Sequence, residues 1–278
     1  MKLLITSDVH GDWEKYAAIN DIVAREDIGA VLNGGDLLAH GGTNRLKDQR
    51  KELLILEYML KDCGCPVYLQ CGNDDLLGVL PDIMGMIGRL PHVQRLDGHW
   101  NNLDGLYVSG YSFVPDSPFP TKDWCKLDGS PGWQRPPQPN PPKHSDPDGM
   151  VPIAGDGQAW LENRSTIAHD MERLMPPDGT DWNQCLMLFH APPYNTDFDL
   201  TMFDMHVGSP AIGAFVARRK PLLSVFGHIH ETVEMTGQWR GDINGALCAA
   251  IGQKGPLQYL MVDTTDVAGS LQRCSHSL

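Results

Sequence analysis

Five short motifs carry imidazole, carboxylate and amide groups, each placed just after an apolar run. They are Asp8-Val9-His10, Gly35-Asp36, Gly72-Asn73-Asp74-Asp75, Phe189-His190 and Gly227-His228-Ile229-His230. Gathering such side chains in an apolar core for packing alone is costly, because each buried polar group needs a partner. A pair of divalent cations would satisfy all of them at once. The donors include no thiolate, which suits Mn, Fe, Zn, Co or Ni, with Mn favoured, over a purely sulfur-seeking metal. In an extended segment residues i and i+2 point the same way, so Asp8 and His10 are expected to reach one ion together, and His228 and His230 to aim into one pocket. Two ions held roughly 3.5–4 Å apart activate a bridging water and neutralise the attacking and leaving oxygens of an in-line displacement. Phosphoester hydrolysis is the reaction such a set serves best. Taken singly, each motif is weak, and a lone His such as His190 is more often a satisfied core residue; the ordered set of five carries the argument.

The elements that must position these groups are legible as short apolar runs closed by Gly, Asp, Asn or His: 3–6, 30–32, 66–69, 106–109, 185–189 and 222–226. They read as buried strands. Helical spacing lies between several of them, over 13–24, 53–60 and 212–217, so the order is strand, helix, strand, helix, the signature of α/β layering. Every motif then falls at the carboxyl end of a strand, where α/β sheets gather their ligands. Towards the C-terminus, the runs 232–235, 246–251 and 257–262 predict a closing β meander.

The strongest shift in composition lies between Val114 and Gly157, which hold 11 of the 21 prolines together with Trp124 and Trp133. Such a stretch cannot be a helix or a central strand. It reads either as a disordered excursion or as an ordered flap over the site, and its tryptophans favour the flap.

At 278 residues and 41% hydrophobic the chain is expected to form one domain, 1–278, interrupted by a Pro-rich insertion at about 114–157. A net charge of −13 argues against an extended nucleic-acid groove while allowing a small phosphorylated substrate. The apolar run at the N-terminus is too short for a signal peptide and no run spans a bilayer, so no membrane partner and a cytoplasmic location are expected. Seven cysteines, without a C-x-x-C pair, read as reduced thiols. Arg218-Arg219-Lys220 reads as the last turn of a helix complementing its dipole.

In order across residues 8 to 230, the motifs D-x-H, G-D, G-N, an isolated H and G-H-x-H resemble those of the calcineurin-like metallophosphoesterases, a family of binuclear-metal phosphoesterases. The resemblance implies a four-layer α/β/β/α sandwich, with two mixed β-sheets flanked by helices. It implies that Asp8, His10 and His230 hold one metal, that Asn73, His190 and His228 hold the other, and that Asp36 bridges them. The function expected on this likeness is a metal-dependent hydrolase, a phosphodiesterase whose nucleophile is a hydroxide bridging the two divalent ions. The alternatives are a phosphomonoesterase acting on a nucleotide or protein, or a non-catalytic interaction module on the same fold.

One position departs from the family pattern. Many members carry His directly after the metal-binding Asn, where this chain has Asp74. Asp74 is a candidate proton donor if burial raises its pKa, or else a turn residue, and Asp75 is expected to cap a helix starting near Leu76. His206, which the resemblance places near the metals, is a second candidate donor. The remaining histidines, His40, His92, His99, His144, His169 and His276, have no ligand spacing and read as surface or structural.

Overall fold

The run Leu3-Leu4-Ile5 is apolar on both faces of its strand, and the computed structural model, which describes residues 1–40 and 45–277, shows what covers each face. The first part of the chain forms β1 (Lys2–Thr6), α1 (Trp13–Arg25), β2 (Ile28–Asn33), α2 (Arg45–Lys61), β3 (Val67–Leu69), α3 (Leu80–Arg89), β4 (Val93–Arg95), β5 (Asn101–Leu103) and β6 (Leu106–Tyr111). After these come β7 (Val114–Pro115), β8 (Cys125–Lys126), β9 (Lys143–Asp146), β10 (Gly149–Pro152), α4 (Gln158–Glu162) and α5 (Ile167–Arg173). The chain closes with β11 (Cys185–Phe189), α6 (Pro210–Arg219), β12 (Leu223–Phe226), α7 (Thr232–Thr236), β13 (Arg240–Ile243), β14 (Ala246–Ala250), β15 (Leu257–Asp263), α8 (Val267–Ser270) and β16 (Gln272–His276).

Two six-stranded sheets result, ordered β16-β15-β1-β2-β3-β4 and β13-β14-β12-β11-β6-β5. Both are mixed. In the first, β1 to β4 run parallel and β15 lies antiparallel to β1; in the second, β6, β11, β12 and β14 run parallel between the antiparallel edges β5 and β13. Leu3 and Ile5 meet Val108, Leu186, Leu188 and Val225 between the sheets. Leu4 turns the other way, into a core shared with Ile19, Leu56 and Met86 of α1, α2 and α3. On the far side Met187, Phe189 and Phe226 pack against Ile212 and Phe215 of α6 and Ile167 of α5. Period-two alternation therefore gives each sheet two apolar faces and stacks four layers, α/β/β/α. No helix among the described residues is long and apolar enough to cross a membrane.

The C-terminal expectation needs two corrections. Thr232–Thr236 is a helix, ended by Gly237 at φ 71°, whose N–H bonds back to the carbonyl of Val233. Its β-branched Thr and Val suggested a strand, but a left-handed Gly stop and the Thr236 hydroxyl bonding Thr232 O, 2.8 Å away, decide for the helix. Nor do the runs that follow form one meander: β13–β14 is a hairpin on the second sheet and β15–β16 a hairpin on the first.

Between β6 and α4 the chain adds no strand to either main sheet. It makes two small pairs, β7 with β8 and β9 with β10. Its interior is ionic. Lys122 is fully buried, with Nζ 2.8 Å from Asp116 Oδ1, and Arg135 reaches Asp116 Oδ2 at 2.5 Å and Asp156 at 2.7 Å. The segment is fastened to the body through Trp124 Nε1, which donates to Asp75 O, and through Asp123, which accepts the Leu77 N–H at 2.9 Å.

Candidate metal centre

Five strand ends converge on one edge of the two sheets: β1 delivers Asp8 and His10, β2 delivers Asp36, β3 delivers Asn73, β11 delivers His190, and β12 delivers His228 and His230. The loops brace one another, with Asp8 N bonding Gly35 O (2.9 Å), His10 N bonding Asp36 O (2.9 Å) and Gly227 N bonding Phe189 O (3.4 Å). The extended geometry expected for D-x-H is not how the side chains meet. Asp8, His10, Asp36 and His228 all sit in the left-handed region, at φ 56°, 51°, 52° and 67°. Four non-glycine residues in that region at one site amount to stored backbone strain, the kind that persists where the surroundings over-determine a functional geometry. Two glycines are required by close approach. A Cβ on Gly72 would come 2.2 Å from Asp36 Oδ1, and one on Gly227 would come 2.6 Å from Asp8 Oδ2.

The seven proposed ligands meet. Asp8, His10, Asp36 and His230 present donor atoms that all lie within 4.8 Å of one another. His10 Nε2 faces His230 Nε2 at 3.0 Å, Asp36 Oδ2 lies 3.6 Å from His10 Nε2 and 3.4 Å from His190 Nε2, and Asp8 Oδ1 lies 3.5 Å from His230 Nε2. Asn73 Oδ1 lies 2.9 Å from His190 Nε2, and the His228 ring centroid 5.2 Å from that of His190. Donors at about 2.1 Å from a common ion stand about 3.0–3.4 Å apart in octahedral or tetrahedral order, so these spacings suit cations seated between the groups. The atom types fit as well. His190 Nδ1 faces Gly34 O at 3.0 Å, which can only accept, so Nδ1 carries a proton and Nε2 would be the nitrogen available to a cation. Nε2 then looks at the Asn73 carbonyl oxygen, another acceptor, and only a cation or a second proton reconciles them.

The electrostatics agree. Burial alone would lower the His190 pKa, but the charge and hydrogen bond of Asp36, together with Asp8, push it up to about 10. For His228, burial and the positive His190 bring it down to about 4. Burial would raise both carboxyls, yet His230 and His190 hold Asp8 down, and His190 and His10 hold Asp36 well below the usual carboxylate range. In the metal-free chain a proton thus occupies part of the space that cations would take.

The two candidate proton donors are placed differently. Asp74 donates its N–H to Asp36 Oδ1 at 2.7 Å, while its carboxylate is held by Arg45 at 2.6 Å. Arg45 and Gln49 also bond its carbonyl oxygen, each at 2.6 Å. Burial and Asp36 raise the Asp74 pKa, and Arg45 works against them. His206 lies on the loop after β11, its Nδ1 2.7 Å from Asp199 Oδ1, and no hydrogen bond or ion pair joins it to the seven ligands among the described residues. Asp199 is fully buried and also accepts the N–H groups of Asn195, Thr196 and Gly208.

One expectation is corrected and another extended. Asp75 caps no helix: its buried carboxylate accepts N–H bonds from Gly72 (2.9 Å), Leu37 (3.0 Å) and Leu38 (2.9 Å), and so ties the β3 loop to the β2 loop. The turn that follows begins at Leu77 with no side-chain cap. His40 is not remote from the site. Its Nδ1 is 3.4 Å from His10 Nδ1, and with His10 and Asp74 it forms a second group of ligand-type atoms within 4.8 Å. Its position four residues after Asp36, in the same loop, was the available signal. Arg45 and Asp199 were also missed, and neither stands in a motif.

No curated protein matches the chain. A family model described as calcineurin-like phosphoesterase matches residues 1–232. One solved structure superposes with a TM-score of 0.66 at 14% identity, over 99% of each chain. The protein TT1561 of Thermus thermophilus superposes with a TM-score of 0.60 at 15% identity, over 99% of this chain and 98% of that one. At these identities the likeness is one of fold.

Proposed function

The chain belongs to the calcineurin-like phosphoesterase family, and from that premise we propose that it is a phosphodiesterase dependent on two divalent cations. The observation that carries the reading is Asp36, whose Oδ2 lies within reach of both His10 Nε2 and His190 Nε2, at 3.6 and 3.4 Å. One carboxylate shared by two donor groups is what a two-ion site requires. Asp8, His10 and His230 would hold one ion, Asn73, His190 and His228 the other, and Asp36 both. When bound, two such ions supply an activated water and neutralise charge on the attacking and leaving oxygens.

The chain's own groups tune the rest. Gly34 O fixes the His190 ring, and the Asp74 N–H holds Asp36 Oδ1, leaving Oδ2 for the cations. Burial and Asp36 raise the Asp74 pKa, but its ion pair with Arg45 works against protonation and turns the carboxylate to that partner, so esters with good leaving groups are favoured. Asp199 accepts the Nδ1 proton of His206 and leaves Nε2 free, which suits His206 to carry a proton for the same loop. A cleft of about 810 Å³ opens beside Asn73 and Asp74, far more room than a phosphate needs. A diester brings a second organic group to fill such space, and that favours it over a monoester.

The test is a panel of matched 4-nitrophenyl diesters and monoesters assayed with added Mn, with elemental analysis of the same preparation. Diester turnover above monoester turnover at two metals per chain is expected. Higher monoester turnover would reverse the substrate class, and no turnover with metal bound would reject hydrolysis.

A further inference from the structure

The cleft beside the metal centre has two unlike ends. One is His40, Arg45, Asn73 and Asp74; the other belongs to the Pro-rich segment and includes Phe119 and Lys143. Phe119 is 68% exposed. A single exposed aromatic is ordinary on a protein surface; what sets Phe119 apart is that it lines the cleft beside Asn73 and Asp74 and does not sit on a loose loop. Lys143 N bonds Pro120 O at 2.8 Å, Lys122 N bonds Lys143 O at 2.9 Å, and Lys122 Nζ donates to Ser117 O from the buried ion pair with Asp116. The ring is therefore presented on a fixed strut. Lys143 stands beside it with no carboxylate partner for its ammonium among the described residues, whereas Arg45, at the other end of the cleft, is paired with Asp74.

We propose that Phe119 and Lys143 form a subsite for a nucleoside-like group on the phosphodiester, with the flat base stacked on Phe119 and an anionic substituent, such as a further phosphate, held by Lys143. This rests on the phosphodiesterase reading and names its substrate class. Stacking suits the wall because every base offers a π-face to an aromatic ring, and an unpaired ammonium is a point charge for phosphate. The wide cleft holds base and sugar together.

The experiment compares two esters with the same leaving group, thymidine 5′-(4-nitrophenyl) phosphate and methyl 4-nitrophenyl phosphate, on Mn-loaded protein. The wild type should favour the nucleoside ester in kcat/KM by about fivefold or more, the lower end of what base stacking contributes, with the difference in KM. In Phe119→Ala and Phe119→Leu the ratio should fall towards one, and Phe119→Trp should retain it. Adding a 3′-phosphate to the thymidine ester should lower KM further, and Lys143→Ala should remove that gain. No preference in the wild type, or both esters slowed alike by Phe119→Ala with melting temperature preserved, would overturn the subsite. If neither ester is hydrolysed, the phosphodiesterase reading has failed separately. Calorimetric titration with thymidine 3′,5′-bisphosphate then decides the subsite by itself: binding weakened at least fivefold by Phe119→Ala upholds it, and equal or absent binding overturns it.

Discussion

Buried carboxylates organise both the metal centre and the Pro-rich wall, but at different spacings. In the centre Asp36 stands 3.4 and 3.6 Å from its imidazoles and Asp8 stands 3.5 Å from His230, whereas in the wall Asp116 touches Lys122 at 2.8 Å and Arg135 at 2.5 Å. Inside the wall the ion pairs around Asp116 are closed at contact distance, with Lys143 at its cleft side left unpaired among the described residues; the centre's groups are spaced for something between them. The backbone tells the same story. Four candidate ligands of the centre are in the left-handed region, while among the described non-glycine residues none between Val114 and Gly157 is. A site that must accept ions keeps strain and gaps, and a wall that must hold its shape closes its ion pairs.

The largest effect should come from breaking the shared ligand. Asp36→Ala removes the carboxylate that faces both His10 and His190, and also the acceptor of the Asp74 N–H. Metal content and turnover should fall together, by more than the roughly 10–100-fold that loss of an outer hydrogen-bond partner costs a metal site. Elemental analysis beside kinetics measures this, and a variant that kept two metals and normal turnover would show that Asp36 is not shared.

On the other side of the comparison, Lys122→Ala should act on stability. It leaves buried Asp116 with Arg135 as its one remaining cation beside the neutral donors Gln138 Nε2 and Ser117 N, and breaking a buried pair by removing one partner costs about 3–5 kcal/mol. Urea unfolding of the metal-loaded protein reads this directly. Metal content in the folded variant should stay at the wild-type value; a parallel loss of metal would mean that the wall also sets the ligand geometry, through Trp124 and Asp123.

How much of this was legible beforehand follows from the same contrast. Parallel strands put their ligands at their carboxyl ends, so apolar runs closed by Asp, Asn or His exposed both the strands and the seven candidate ligands that the fold brings together. The left-handed turns at Asp8 and His10 were hidden because neither residue is glycine and the spacing fits an extended strand equally well. Proline content said what the wall could not be, a helix or central strand. It could not pair Lys122 with Asp116 and Arg135, since those contacts exist only once the segment has folded on itself. Asp75 was misread, and the contact of the exposed His40 with His10 went unseen, for a related reason: a cap and a surface histidine are local readings, while their partners Leu37 and His10 lie on other loops or far along the chain.

Acidity should separate the two regions more gently. His190, pushed up to about 10 in the metal-free chain, lies above its unfolded value, so the stability it contributes is complete below about pH 6.5 and is lost as pH rises towards 10. The same proton must leave when a cation arrives, so metal affinity should climb by up to about tenfold per pH unit across that window. Melting curves of metal-free and Mn-loaded protein from pH 6.5 to 10 should diverge, with the metal-free form falling. Parallel curves would mean that no proton is held between the ligands.

The smallest effect is expected at Asp74, where the two regions join: its N–H serves Asp36 and its carboxylate serves Arg45 on the wall of the cleft. With Arg45 neutralising it, Asp74 should repel a doubly charged monoester only weakly, so the absence of a usable proton, and not charge, limits poor leaving groups. Asp74→His restores an imidazole at this position and frees Arg45 to meet phosphate. General acid catalysis is worth about 10²–10⁴-fold when well aligned, and a residue placed without its own supporting contacts should recover only about tenfold. That gain should appear in kcat/KM for alkyl esters and monoesters relative to 4-nitrophenyl diesters, at matched metal content. Arg45→Ala separates the two contributions: if freeing Arg45 were the cause, the double variant would lose the gain, and if proton transfer were the cause, it would keep the gain along with its dependence on leaving-group pKa. An unchanged ratio in Asp74→His would mean that position 74 does not face the leaving group, and the preference for good leaving groups would have to originate elsewhere in the cleft.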